Sequence, residues 1–139
     1  MIKITVDTNV LVSATFWSGA SYQIIQLVES HKVELILSPS ILEEFSEVLD
    51  YPEIQEKITG KNLEMKMTVA KIKELATIVH PSEKLNVVKD DPDDDNIIEC
   101  AVAGKVDYII SQDKHLLNLK SYAGIKIITP EELLKMVRV

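Results

Sequence analysis

The sequence has one cysteine, four glycines, three histidines and no apolar stretch near membrane-spanning length. Cys100 alone excludes an internal disulfide framework and fits a reducing cytoplasm. No apolar run approaches the roughly 18 residues that a spanning helix needs, and no secretory leader is expected ahead of a strand that begins at residue 2. Four glycines do not make a Gly-rich phosphate loop. His31, His80 and His115 lie far apart in the chain, so no Ser-His-Asp or Cys-His arrangement suggests itself. Basic residues are outnumbered, with 15 Lys and Arg against 22 Asp and Glu and a net charge of −7. That balance argues against broad electrostatic capture of nucleic acid. A nucleic-acid substrate is compatible with it only if metal ions offset the carboxylates locally.

What is present reads as one α/β domain over residues 1–139. With 46 % hydrophobic and 27 % charged residues the composition is that of a soluble globular protein. The β-branched run Ile2 to Val6 predicts a buried central strand, ending at the polar corner Asp7-Thr8-Asn9. An apolar run, Val10 to Val12, follows, and helical spacing runs from Ala20 to about Ser30. Val33 to Leu37 is a second strand, stopped by Ser38-Pro39, an N-cap with proline at the first helical position. The next helix ends before Pro52, and a short helical piece around Glu53 to Ile58 closes at Gly60. A longer helix is expected from Asn62 to about Val79. Leu85 to Val88 suggests a short edge segment, followed by the acidic run Asp90 to Asp95 and a helix through Gly104. Strands at 108–110 and 126–128, a short helix at 115–119 and a C-terminal helix to Met136 complete the pattern. Strands alternating with helices predict a largely parallel sheet covered on both faces.

Four acids from four segments then converge. Asp7 and Asp113 each follow a strand, and parallel strands would put both at one edge of the sheet, where open α/β sheets bind ligands. Asp is also common there as a helix cap. Glu44 falls on the border of the apolar arc of its helix, whereas Glu43 and Glu47 point to solvent. In the acidic run, Asp91 reads as an N-cap before Pro92, with Asp93 favoured by the helix dipole. Asp94 lies above the stripe Ile97, Ile98 and Ala101 and is expected to face the sheet, with Asp95 a partly exposed neighbour. Like charges about 5 Å apart repel by roughly 3 kcal/mol at an effective dielectric near 20, so crowding favours a bound cation. A calcium loop is excluded, because its sixth position is Asn96 and its twelfth is Val102. Carboxylates without His or Cys ligands select Mg²⁺ or Mn²⁺ over zinc, and such ions assist phosphodiester cleavage.

The sequence resembles the PIN-domain ribonucleases over essentially its whole length. The resemblance rests on Val6-Asp7-Thr8-Asn9-Val10-Leu11, on Ser38 to Phe45 continuing to Val48-Leu49, on Asp91-Pro92-Asp93-Asp94, and on Tyr108 to Asp113. It is closest to the toxins of toxin–antitoxin systems. It implies a three-layer α/β/α sandwich with a Rossmann-like central parallel sheet, and a Mg²⁺- or Mn²⁺-dependent endoribonuclease acting on single-stranded RNA. By position the family's acids fall on Asp7, Glu44, Asp94 and Asp113. Asn9 and Ser111 match small polar positions that steady them, and His115 stands where the family often has a further acid. The resemblance also implies a homodimer or higher homo-oligomer and a protein antitoxin as partner.

Other readings stay open beside this one. A PIN fold without activity, serving as an RNA-binding or protein-interaction module, is the alternative. A dehalogenase-like phosphatase would need a second Asp where Asn9 stands, and a response-regulator receiver would need an Asp pair at the first corner. Lys57, Lys61, Lys66, Lys71 and Lys73 can track a phosphate backbone or simply form a solvated face. Phe16 and Trp17 can stack on bases or pack in the core.

Overall fold

The computed structural model describes residues 1–16, 19–57, 62–85, 87 and 92–137, the side chains of 62–64, 92 and 93 excepted. In chain order the elements are β1 (Ile2–Val6), α1 (Thr8–Ala14), α2 (Gly19–Glu29), β2 (Val33–Leu37), α3 (Pro39–Leu49), α4 (Pro52–Lys57) and α5 (Asn62–Leu75). They continue with β3 (Thr77–Ile78), α6 (Pro92–Gly104), β4 (Tyr108–Ile110), α7 (Lys114–Leu119), β5 (Ser121–Tyr122), β6 (Ile125–Ile128) and α8 (Pro130–Met136). The six strands form a sheet in the order β3-β2-β1-β4-β6-β5. All pairings are parallel except that of β5 with β6.

β1 is central because every residue it can bury is apolar or β-branched: Ile4, Thr5 and Val6 are all buried. Leu35 of β2 lies beside Ile4 on one flank, and Ile110 of β4 lies beside Val6 on the other. Parallel neighbours need crossovers, and a right-handed crossover puts its helix on a definite face. The chain leaves β1 toward β2 and later leaves β3 toward β4 in the opposite direction. α2 and α6 therefore cover opposite faces, α6 packing on β1, β2 and β4, and α2 packing on β2 and against α8. The core runs through both layers, with Ile24, Leu27, Phe45, Ile72, Ile98 and Leu133 all wholly buried.

Local sequence explains the helix starts. Ser38 accepts from the Ile41 amide at 3.4 Å, with Pro39 beginning α3. Thr129 and Glu132 form a reciprocal capping box ahead of α8.

The structure corrects four expectations. α5 stops at Leu75 rather than near Val79, because Thr77 and Ile78 are drawn into the sheet beside Ile36 and Leu37. The Val79 amide then donates to the Leu37 carbonyl at 2.9 Å, a bond that no helix could supply. Leu85 and Val87 are not strand; their amides donate instead to side chains of α6, Leu85 to Glu99 at 2.7 Å and Val87 to Asp95 at 3.0 Å. The corner after Asp7 winds directly into α1, and Ser121–Tyr122 forms an unexpected antiparallel edge. Gly60, Asn86, Val88, Asp90 and the Asp91 cap lie outside the described residues, as do Trp17 and Lys61.

Candidate functional site

Sheet order locates the crevice before any side chain is considered. β1 and β4 are neighbours, but the chain leaves β1 toward β2 and leaves β4 toward β6. At such a switch point the connecting segments part, and a ligand crevice opens beyond the carboxyl ends of the two strands. Val6 pairs with Ile110, so Asp7 and Ser111 are the next residues on the two strands and come out level. Main-chain bonds hold them there, from the Asp7 amide to the Ile110 carbonyl at 2.9 Å and from the Ser111 amide to the Ile128 carbonyl at 3.0 Å.

The side chains continue the link. The Ser111 hydroxyl, fully buried, donates to Asp7 Oδ2 at 2.9 Å and accepts from the Asp113 amide at 3.0 Å. Asp7 is the N-cap of α1 by position yet makes no side-chain cap bond. The reading of Asp7 as a simple cap therefore fails. For Asp113 it holds in part: Oδ1 accepts from the His115 amide at 2.7 Å and caps α7. His115 itself is exposed, as is Asn9 on α1.

The other two acids lie on helices, Asp94 on α6 and Glu44 on α3. Asp94 and Asp95 sit in the first turn of α6, only 6 % and 7 % exposed. The expectation that Asp95 is partly exposed is thus wrong: its carboxylate is buried and accepts from the Val87 amide at 3.0 Å. By burial alone the two acids are equivalent, so the carboxylate facing the site is a matter of one residue. Glu44 is half-buried on α3, and Glu43 and Glu47 are exposed. Glu44 lines a cavity of about 250 Å³ together with Glu43 and Glu47, Ser40, Tyr51 and Asn96, the last of these on α6. Tyr51 and Asn96 were not singled out from the sequence, and only the meeting of α3 with α6 makes them neighbours of Glu44.

Asp7 and Asp113 are therefore joined through Ser111, while Glu44 shares its cavity with the head of α6. Among the described residues no three Asp, Glu, His or Cys side chains stand close enough to hold one ion between them. The donors are all carboxylate oxygens, and Asp94 and Asp95 are held out of water at a helix N-terminus, where backbone amides favour negative charge. That donor chemistry fits a hard cation. Mg²⁺ in particular is commonly held by one or two carboxylates, with waters and substrate phosphates completing its shell.

The chain carries the PIN-domain sequence pattern over residues 3–115. It belongs to the PIN-domain family. The uncharacterized protein MJ1680 of Methanocaldococcus jannaschii is 29 % identical over 143 residues, covering 96 % of this chain and 90 % of that protein. The crystal structure of VapBC2 from Rickettsia felis, bound to a DNA fragment from its promoter, matches with a TM-score of 0.61 and 13 % identity. The match covers 92 % of this PIN domain and 98 % of that chain, and at this identity it establishes the fold. The α/β sandwich with its mostly parallel sheet is accordingly the PIN fold, as the sequence implied.

Away from the site acids, Cys100 and Lys71 are perturbed. Burial pushes the Cys100 thiol above its usual 9.0, while hydrogen bonds from Thr5 and Ser38 pull it partly back. The thiol is fully buried in the core. The Lys71 ammonium is raised above 10.5, chiefly by its hydrogen bond to Glu29, 2.6 Å away. Lys71 is therefore engaged by an acid, whereas Lys66 and Lys73 line a separate cavity of about 380 Å³ with Leu49, Met65 and Val69. Phe16 packs partly buried against the core. Among the described residues no helix is long and apolar enough to cross a membrane.

Proposed function

We propose that this PIN domain is a divalent-metal-dependent endoribonuclease that cleaves single-stranded RNA, and that it acts in the cytoplasm as the toxin of a toxin–antitoxin pair. The observation that carries the reading is the Ser111 bridge. A buried hydroxyl holding one carboxylate, and through the backbone the position of a second, is an arrangement that a helix cap does not need. Family membership supports a nuclease, and the likeness to VapBC2 supports an antitoxin partner and contact with nucleic acid. A homodimer or larger homo-oligomer belongs to the same reading.

In this reading Asp7, Asp94 and Asp113 hold Mg²⁺ or Mn²⁺, with Glu44 as a further ligand or as the base that orients the attacking water. Asp95 steadies the head of α6 through Val87, and Ser111 and Asn9 support the acids at the strand ends. A cation held there would supply Lewis acidity toward water and offset charge at phosphorus. The protein's own part is positional. Ser111 fixes Asp7 Oδ2 at the end of β1. Asp113 is anchored by two amide contacts at the head of α7. The half-buried Glu44 keeps one face toward the open cavity from which water and RNA arrive.

His115, standing where the family often has a further acid, favours a second reading, an RNA-binding or protein-interaction module without activity. Incubating a mixed single-stranded RNA pool with Mn²⁺ separates the two. The parent should cleave, and Asp7→Asn should lower the rate by more than about a hundredfold, beyond what changes around a ligand usually cost. Equal cleavage by both proteins would contradict the assignment of Asp7. Tight RNA binding without cleavage by either would favour the silent module.

A further inference from the structure

Beneath the rim, three polar side chains from three elements meet inside the molecule. Thr5 of β1 and Cys100 of α6 are fully buried, and Ser38 at the head of α3 is nearly so. Thr5 Oγ1 and Cys100 Sγ lie 3.5 Å apart, and either can donate. The sulfur also lies 3.9 Å from the Ile36 carbonyl of β2, and the Ser38 side chain is near enough to lower the thiol pKa. Ser38 in turn caps α3 through the Ile41 amide.

Each of the three elements carries one of the site acids toward the rim. β1 leads into Asp7, α3 carries Glu44, and α6 begins with Asp94. Burying a hydroxyl or a thiol is unfavourable unless it is bonded, and apolar side chains of the same shape would pack this interior as well or better. A hydrogen bond adds to packing a directional requirement, since it weakens steeply as its angle bends away from linear. The polar choice is therefore a choice of register.

We infer that the contact of Thr5, Cys100 and Ser38 is a positioning tie, fixing how far α6 is slid and turned against β1 and α3 and hence where Asp94 stands relative to Asp7 and Glu44. Its meaning for function rests on the metal-site reading above; its geometry does not.

Two substitutions at one position separate positioning from packing. Thr5→Val keeps the shape and removes the hydroxyl, and Thr5→Ser keeps the hydroxyl and removes the methyl group. If the residue only fills space, Thr5→Ser is the more damaging in every measurement. If it is a tie, the order reverses for geometry. Mn²⁺ binding followed by calorimetry should then weaken about tenfold in Thr5→Val and stay near the parent in Thr5→Ser, at the lower end of what outer-shell changes cost. Metal-free crystal structures should show the Asp7 to Asp94 Cα separation changed in Thr5→Val and kept in Thr5→Ser. Cys100→Ala provides the same comparison should Thr5→Val fail to fold. Unchanged affinity and unchanged separation in Thr5→Val would overturn the tie. If the parent itself binds no Mn²⁺, the metal-site reading fails, and the crystal comparison alone decides the tie.

Discussion

Ser111 uses one hydroxyl twice, as donor to Asp7 and as acceptor from Asp113. Ser111→Ala would leave a carboxylate oxygen and an amide without that partner, which costs about 1–3 kcal/mol when such groups are buried. The expected outcome is a modest fall in stability, read by urea titration, with cleavage slowed by about 10–100-fold as the aim of Asp7 is lost. Stability and cleavage both at parental levels would show the bridge to be incidental. At this scale the sequence was readable for the element each residue stands on and poor in geometry. Asp7, Glu44, Asp94 and Asp113 could be named from strand ends and helix faces. The burial of Asp95 could not, because it depends on the Val87 amide, and periodicity on one helix says nothing of a segment laid across it. The pairing of Thr5 with Cys100 was hidden for the same reason, since two alternating patterns far apart in the chain carry no sign of which residues meet.

Elements with a full apolar period were legible, and short ones were not. β1, β2, β4 and β6 appear as apolar runs bounded by turns, and α2, α3 and α8 as helical spacings with caps. α1 was missed because its seven residues include Thr8, Val10 and Val12, β-branched residues that favour strand. β3 was read as helix because Thr77 and Ile78 continue the apolar spacing of α5, and only pairing with β2 makes them a strand. The end of α6 provides a test at this scale. A Cβ on Gly104 would lie 2.6 Å from Ile36 Cγ2, a side chain held in the core. Gly104→Ala should therefore push α6 away from β2 despite alanine's better helix propensity, costing about 1–3 kcal/mol as overpacking does. A thermal unfolding scan should show a lower Tm; an unchanged or raised Tm would mean that helix and strand approach less closely than described.

For the whole molecule, the net charge of −7 sets the problem that the fold has to solve. An acidic protein repels a polyanion in general and can attract it only where cations are held. The order β3-β2-β1-β4-β6-β5 sets the ends of β1 and β4 side by side, so that Asp7 and Asp113, one from each half of the chain, lie at one crevice. That gathering was legible from the alternation of strands and helices, because parallel strands must present their carboxyl ends on one side. The fit of the acids to one ion was not, because it depends on the side-chain rotamers and helix registers that bring four segments within reach of each other. Crystals grown with Mn²⁺ and measured at its absorption edge test this most directly. The expected result is an anomalous peak in the crevice within bonding distance of Asp7 and of Asp94 or Asp113. A well-ordered crystal with no peak there, or with Mn²⁺ only on the exposed Glu43 and Glu47, would contradict it.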